Sequence, residues 1–217
     1  MNSNKEVGQM ETIERRALDI PALERLEPIH TKGLQRVFGA LRLVAGWTFL
    51  WAFLDKAFAL GFSTGRVLND AGETVRIDFF GPDAWINGAS PTAGAVGFGL
   101  KGPFADNIQS ITNFQMTQAD PQVAGWLDWV YMGSMLLIGL GLMLGIGTRL
   151  AALGGIAWMA IFYTGTAIWP EHNPFVDDHV VLAIVMVGLI LANAGRYYGL
   201  GKVWQRVGFV KDRRYLY

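Results

Sequence analysis

Residues 129–169 read WVYMGSMLLIGLGLMLGIGTRLAALGGIAWMAIFYTGTAIW, two apolar runs with one charge between them, Arg149. The first run, residues 129–147, and the second, residues 150–169, contain no Asp, Glu, Lys or Arg. A bilayer core takes about 20 mostly apolar residues in helical form, so each run is of spanning length. A surface helix of a soluble bundle keeps a polar face, and neither run has one. Two more segments extend the pattern outward. Residues 37–61 are apolar apart from Arg42, Asp55 and Lys56, and residues 180–194 are lengthened to 177–197 by their polar flanks.

The expected fold is therefore all-α, an integral membrane four-helix bundle with a long extracytoplasmic loop between helices 1 and 2. Its parts are an N-terminal tail (1–36), helix 1 (37–61), the loop (62–128), helix 2 (129–147), helix 3 (150–169), helix 4 (177–197) and a basic C-terminal tail (198–217). Orientation follows the basic residues. Six lie before residue 37, six lie from Arg196 onward, and Arg149 sits in the turn between helices 2 and 3. The third connection has no Lys or Arg but has Glu171, Asp177 and Asp178. This places a multi-pass protein in the cell membrane with both termini cytoplasmic. No secretory signal is expected, because the first apolar run begins only after a polar, mixed-charge segment.

Composition narrows the chemistry. Only 17% of the 217 residues are charged and 52% are hydrophobic, against about a quarter charged in soluble domains. Lys and Arg number 18, as do Asp and Glu, so charge offers no case for nucleic acid. The absence of cysteine removes thiol nucleophiles, disulfides, zinc–thiolate sites and cysteine-ligated clusters together. Redox chemistry would need an organic cofactor, a His/carboxylate metal site or another subunit.

The loop has structure of its own to offer. Arg66-Val67-Leu68 and Thr74-Val75-Arg76-Ile77 flank Asn69-Asp70-Ala71-Gly72, the signature of a β-hairpin. Residues 93–100 form an apolar stretch too short to span; it dips into the outer leaflet, caps the bundle or merely connects.

Several stretches resemble the DoxX/DoxD-like membrane family: GWTFLWAFLDKAFALGF (46–62), WINGASPTAG followed by KGPFAD (85–106), GIGTRLAALGG (145–155), NPFVDDHVVLAIV (173–185) and AGRYYGLGKVW (194–204). They follow in order from about Arg36 to Trp204. The resemblance implies a four-helix membrane bundle. It also implies kinship with the DoxD-type subunit of thiosulfate:quinone oxidoreductase, which works beside a second subunit, DoxA, to couple thiosulfate oxidation to quinone reduction. Other relatives are assigned to redox-stress complexes or assembly roles, so the family speaks to fold more than to reaction.

The polar residues gather at one rim. Lys56 lies 19 residues beyond Val37, about 28 Å along a helix, which brings it to the outer interface. Asp55, Asp128, Trp169, His172, Asp177, Asp178 and His179 fall at the same level. The expected catalytic set is His179, Asp178 and Lys56. Substrate or quinone contacts are expected from Lys56, Asp128, Trp169, His172 and Arg42. Quinone is the expected cofactor; its reduction consumes two protons, which a histidine can donate near neutral pH. Lys56 would hold an anion or polarise a quinone oxygen.

Structural roles compete with each of these. One of Asp177 and Asp178 suits a helix N-cap, Lys56 can snorkel to the headgroups, and Arg42 can do so on the inner side. A metal held by His172, Asp177 or Asp178, and His179 is disfavoured by the seven-residue histidine spacing, and no bound metal is expected. Expected partners are the lipid bilayer and a second redox subunit; oligomeric state is not readable. The function expected is a subunit of a quinone-linked oxidoreductase, with a non-catalytic scaffold or assembly subunit as the alternative. A transporter is disfavoured by the lack of internal repeats or paired broken helices.

Overall fold

The long apolar stretch after Thr31 has no proline before Pro82, and its Leu, Ala and Phe residues wind into one helix, α1 (Lys32–Phe58). Helix α1 begins five residues before the apolar run. It stops at Ala59, which turns left-handed at φ 52° and returns its N–H to the Asp55 carbonyl. The computed structural model describes residues 31–116, 121–122, 125–166, 174–211, 213 and 216.

Beyond α1 come strands β1 (Arg66–Leu68) and β2 (Thr74–Ile77), the short helix α2 (Ala105–Ile111), and the two-residue strands β3 (Gln115–Met116) and β4 (Pro121–Gln122). Three further long helices follow: α3 (Gly125–Leu144), α4 (Thr148–Thr166) and α5 (Asp178–Leu191). Two single turns, α6 (Gly201–Trp204) and α7 (Gly208–Lys211), lie near the C-terminus. The described residues are mostly helical, as expected.

Helix α1 packs on α3, α3 on α4, α4 on α5, and α5 returns to α1. The α1–α3 contact is close because glycines face backbone. A Cβ on Gly139 would lie 2.6 Å from the Leu50 nitrogen, and one on Gly46 would lie 2.9 Å from the Met143 nitrogen. Between the helices lie Phe49, Met132, Met135, Leu142, Met186 and Leu189, all buried.

Helices α1 and α3 are long and apolar enough to cross a membrane. Their apolar residues are not stored in the interior: only 28% and 33% of their most apolar windows are buried. Leu137 on α3 is 72% exposed, and Ile184 on α5 is 66% exposed. Helix α5 is shorter than the expected span 177–197, with 14 residues. It ends at Leu191 because Asn193 turns left-handed at φ 48°, starting a 3-10 turn at Ala194–Arg196. The expected end of helix 3, residues 167–169, lies outside the described residues.

Strands β1 and β2 pair antiparallel, Arg66 opposite Ile77 and Leu68 opposite Thr74. Asn69 closes the turn by accepting N–H groups from Ala71 and Glu73. The apolar stretch after Pro91 lies over the helix ends. Ala93 and Val96 are buried, and the N–H groups of Lys101 and Gly102 both donate to the Gly165 carbonyl near the end of α4, at 3.0 and 2.9 Å.

Candidate functional site

Helix direction puts the C-terminal ends of α1 and α4 beside the N-terminal ends of α3 and α5, and most of the expected site residues lie at this end. Because Ala59 reverses the chain, residues 62 and 63 fold back onto Asp55. Its buried carboxylate accepts the N–H of Phe62 at 3.0 Å, the N–H of Ser63 at 2.8 Å and the Ser63 hydroxyl at 2.5 Å. The same Ser63 oxygen accepts from Lys56 Nζ at 3.0 Å. Lys56 is thus tethered through Ser63, with two of its ammonium hydrogens uncommitted among the described residues.

Asp128, 7% exposed in the first turn of α3, fixes the loop. Its Oδ1 accepts from Ser90 Oγ at 3.0 Å, from the Thr92 N–H at 3.1 Å and from Thr92 Oγ1 at 2.6 Å. Lys56 and Asp128 line one cleft of about 960 Å³, together with Ser63, Arg66 and Asp83. That volume is ample for a small molecule.

The histidine site stands apart, since neither His179 nor Asp178 lines that cleft. Asp177, not Asp178, caps α5, accepting the Val180 N–H at 3.1 Å through Oδ1. Its Oδ2 meets His179 Nδ1 at 2.7 Å. Burial pushes the Asp177 carboxyl up, but the bonds from His179 and Val180 outweigh it and hold it below the usual aspartate range. Asp178 is exposed in the first turn of α5. The His179 ring lies 5.7 Å from Phe162, which lies 5.3 Å from Trp158, itself 5.3 Å from Tyr131. Trp158 donates its indole N–H to Ser134 Oγ at 2.7 Å. Both side chains open onto an apolar groove of about 480 Å³ between α3 and α4, floored by Gly141, Ala151, Gly154 and Ala157.

Arg42 lies at the opposite end and does not snorkel: it is 0% exposed. Nη1 donates to the carbonyls of Leu142 and Met143, and Nη2 to those of Tyr197 and Tyr198 at 3.0 and 2.9 Å. Its partners are all backbone carbonyls, and it ties the end of α3 to the segment after α5. Trp169 and His172 lie outside the described residues, so the expected contacts there carry no geometry. Among the described residues no group of three or more His, Asp or Glu side chains converges as a metal-ligand set.

Ser63, Arg66, Ser90 and Thr92 were not expected at the site. The glycines at 61 and 65 signal a turn after helix 1, but nothing local says that it folds back onto Asp55. Compared with protein-family models, curated proteins and solved structures, the chain matches none.

Proposed function

We propose that the chain is a multi-pass membrane subunit of a quinone-linked oxidoreductase. The membrane part of this reading rests on the spanning length of α1 and α3 and on their outward-facing apolar residues. The resemblance to DoxX/DoxD-like proteins agrees with it. One observation carries the redox part: the Asp177–His179 couple, in ring contact with Phe162 and through it with Trp158 on the wall of an apolar groove.

The residues fit a quinone in both its parts. The groove suits an apolar tail, the Trp158–Ser134 pair puts a polar group on its wall, and His179 stands behind Phe162, one ring removed from Trp158. A bound quinone would supply two-electron acceptance, completed by two protons. His179 would supply one of those protons, and Asp177 orients its ring through Nδ1. Electrons come from a small sulfur anion of the thiosulfate type or from a partner subunit, since the chain has no cysteine to relay them.

Purified protein should carry co-extracted quinone and reduce it when supplied with thiosulfate or another donor. Ala157→Leu, which narrows the groove at an exposed position, should raise the KM for quinone several-fold. Wild-type protein with neither quinone nor donor-dependent reduction would sink this reading. The scaffold alternative would then stand, favoured by exposed Phe79, Phe80, Phe98 and Phe104 around the helix-capping loop, which suit a docked protein.

A further inference from the structure

We infer that the cleft lined by Lys56, Arg66, Asp83 and Asp128 binds a zwitterionic ligand in which a primary ammonium is joined to a phosphate. The cleft has two cations and two acids, so its formal charge is zero. A small dianion would meet both acids, and a simple cation would meet both bases. A ligand with both signs meets each with its opposite.

The spare bonding capacity points the same way. Asp128 takes all three of its hydrogen bonds on Oδ1, leaving Oδ2 without a partner among the described residues. No ion pair among those residues neutralises it, and a buried charge calls for a partner. On another wall, Lys56 uses one of its three donors, on Ser63. Among the described residues Arg66 uses only Nε, on the Gly61 carbonyl at 2.8 Å, so its terminal nitrogens are uncommitted there. An arginine fork beside a lysine matches phosphate oxygens.

The ammonium is a primary one. Oδ2 rewards an N–H donor, whereas a quaternary ammonium is recognised by aromatic faces, and among the described residues no aromatic side chain lines the cleft. Ethanolamine phosphate is the minimal form of this chemistry. It arrives either free or as a phospholipid headgroup. The lipid source agrees with the position of the cleft at the helix ends, which is headgroup level on the membrane reading proposed above, and with exposed Phe62, Leu68 and Phe80 nearby.

The test uses the full chain in detergent and in nanodiscs. In detergent, glycerophosphoethanolamine, glycerophosphocholine and thiosulfate are titrated calorimetrically. In nanodiscs, phosphatidylethanolamine and phosphatidylcholine compete, and retained lipid is counted by native mass spectrometry. Ethanolamine should be preferred over choline by roughly tenfold. Preference in the first arm identifies a free ligand as sufficient, and preference only in the second identifies a lipid.

Asp128→Asn should abolish the preference while keeping an acceptor for Ser90 and Thr92. Arg66→Gln, on the exposed hairpin and so little threat to folding, should weaken both ligands equally. No preference in either arm, or thiosulfate binding as tightly as the zwitterion, overturns the inference. Quinol formation is measured in parallel: its absence would remove the quinone reading and leave the headgroup preference standing.

Discussion

Arg42 brings a guanidinium to four carbonyls that belong to two separate stretches of chain, at sequence separations of 100 to 156 residues. Those carbonyls include the last turn of α3, where intrahelical partners run out. Each acceptor left unmade and buried costs about 1–3 kcal/mol. Arg42→Met should therefore lower the melting temperature of the purified protein sharply. Arg42→Lys should recover only part of the loss, because an ammonium lacks the planar fork. A quinone contact at Arg42 predicts something else, a raised KM in protein of unchanged stability. His179 differs in kind. His179→Asn should leave folding intact and slow quinone reduction at least tenfold. Unchanged turnover would remove His179 from proton delivery.

At the level of elements, the start of α5 and the α1–α3 seam make separate predictions. Asp177 caps α5, and its carboxyl is held below the ordinary aspartate range in the folded protein. Its stabilising contribution is thus complete at pH values above the unfolded aspartate range, about 3.9, and is lost as pH falls through the lower folded value. Asp177→Asn should cap nearly as well, whereas Asp177→Ala should cost about 1 kcal/mol at neutral pH, read by denaturant titration. Along the seam, Gly139→Ala puts a methyl against the Leu50 backbone and should destabilise by about 1–3 kcal/mol. Gly133→Ala, with open space around it, should be neutral or slightly stabilising. Elements of this kind were legible in the sequence: uncharged runs mark helices, Asn69 to Gly72 marks a turn, and an acid before an apolar run marks a cap. The candidate site was less so. Its side chains were readable as polar residues at one level, but pairing depends on how the loop folds back. Ser63 reaches Asp55 through a left-handed Ala59 that carries no glycine signal. Asp128 is committed to Ser90 and Thr92, partners 38 and 36 residues away. Asp177 and His179 sit two residues apart, yet nothing in their spacing says that the lysine cleft excludes them.

For the whole molecule, the proposed arrangement places the hairpin outside the cell and both termini inside. Gly72 has nothing within 4 Å of an added Cβ, and the chain has no cysteine of its own. Gly72→Cys should therefore react with a membrane-impermeant maleimide in intact cells, although the left-handed φ of 78° there imposes some local strain. Tags on the two termini should react only after permeabilisation. Protection of Gly72→Cys in intact cells would reverse the orientation, and opposite behaviour of the two tags would change the number of crossings. The four long helices are unequal in reach. With 14 residues, α5 measures about 21 Å, some 9 Å less than a typical hydrocarbon core. On the membrane reading proposed above, the bilayer beside α5 would dimple inward, and an acyl layer that is thinner to begin with is deformed less. The protein should accordingly melt higher in short-chain than in long-chain lipid of the same headgroup, and in a mixed bilayer it should gather where the membrane is thin.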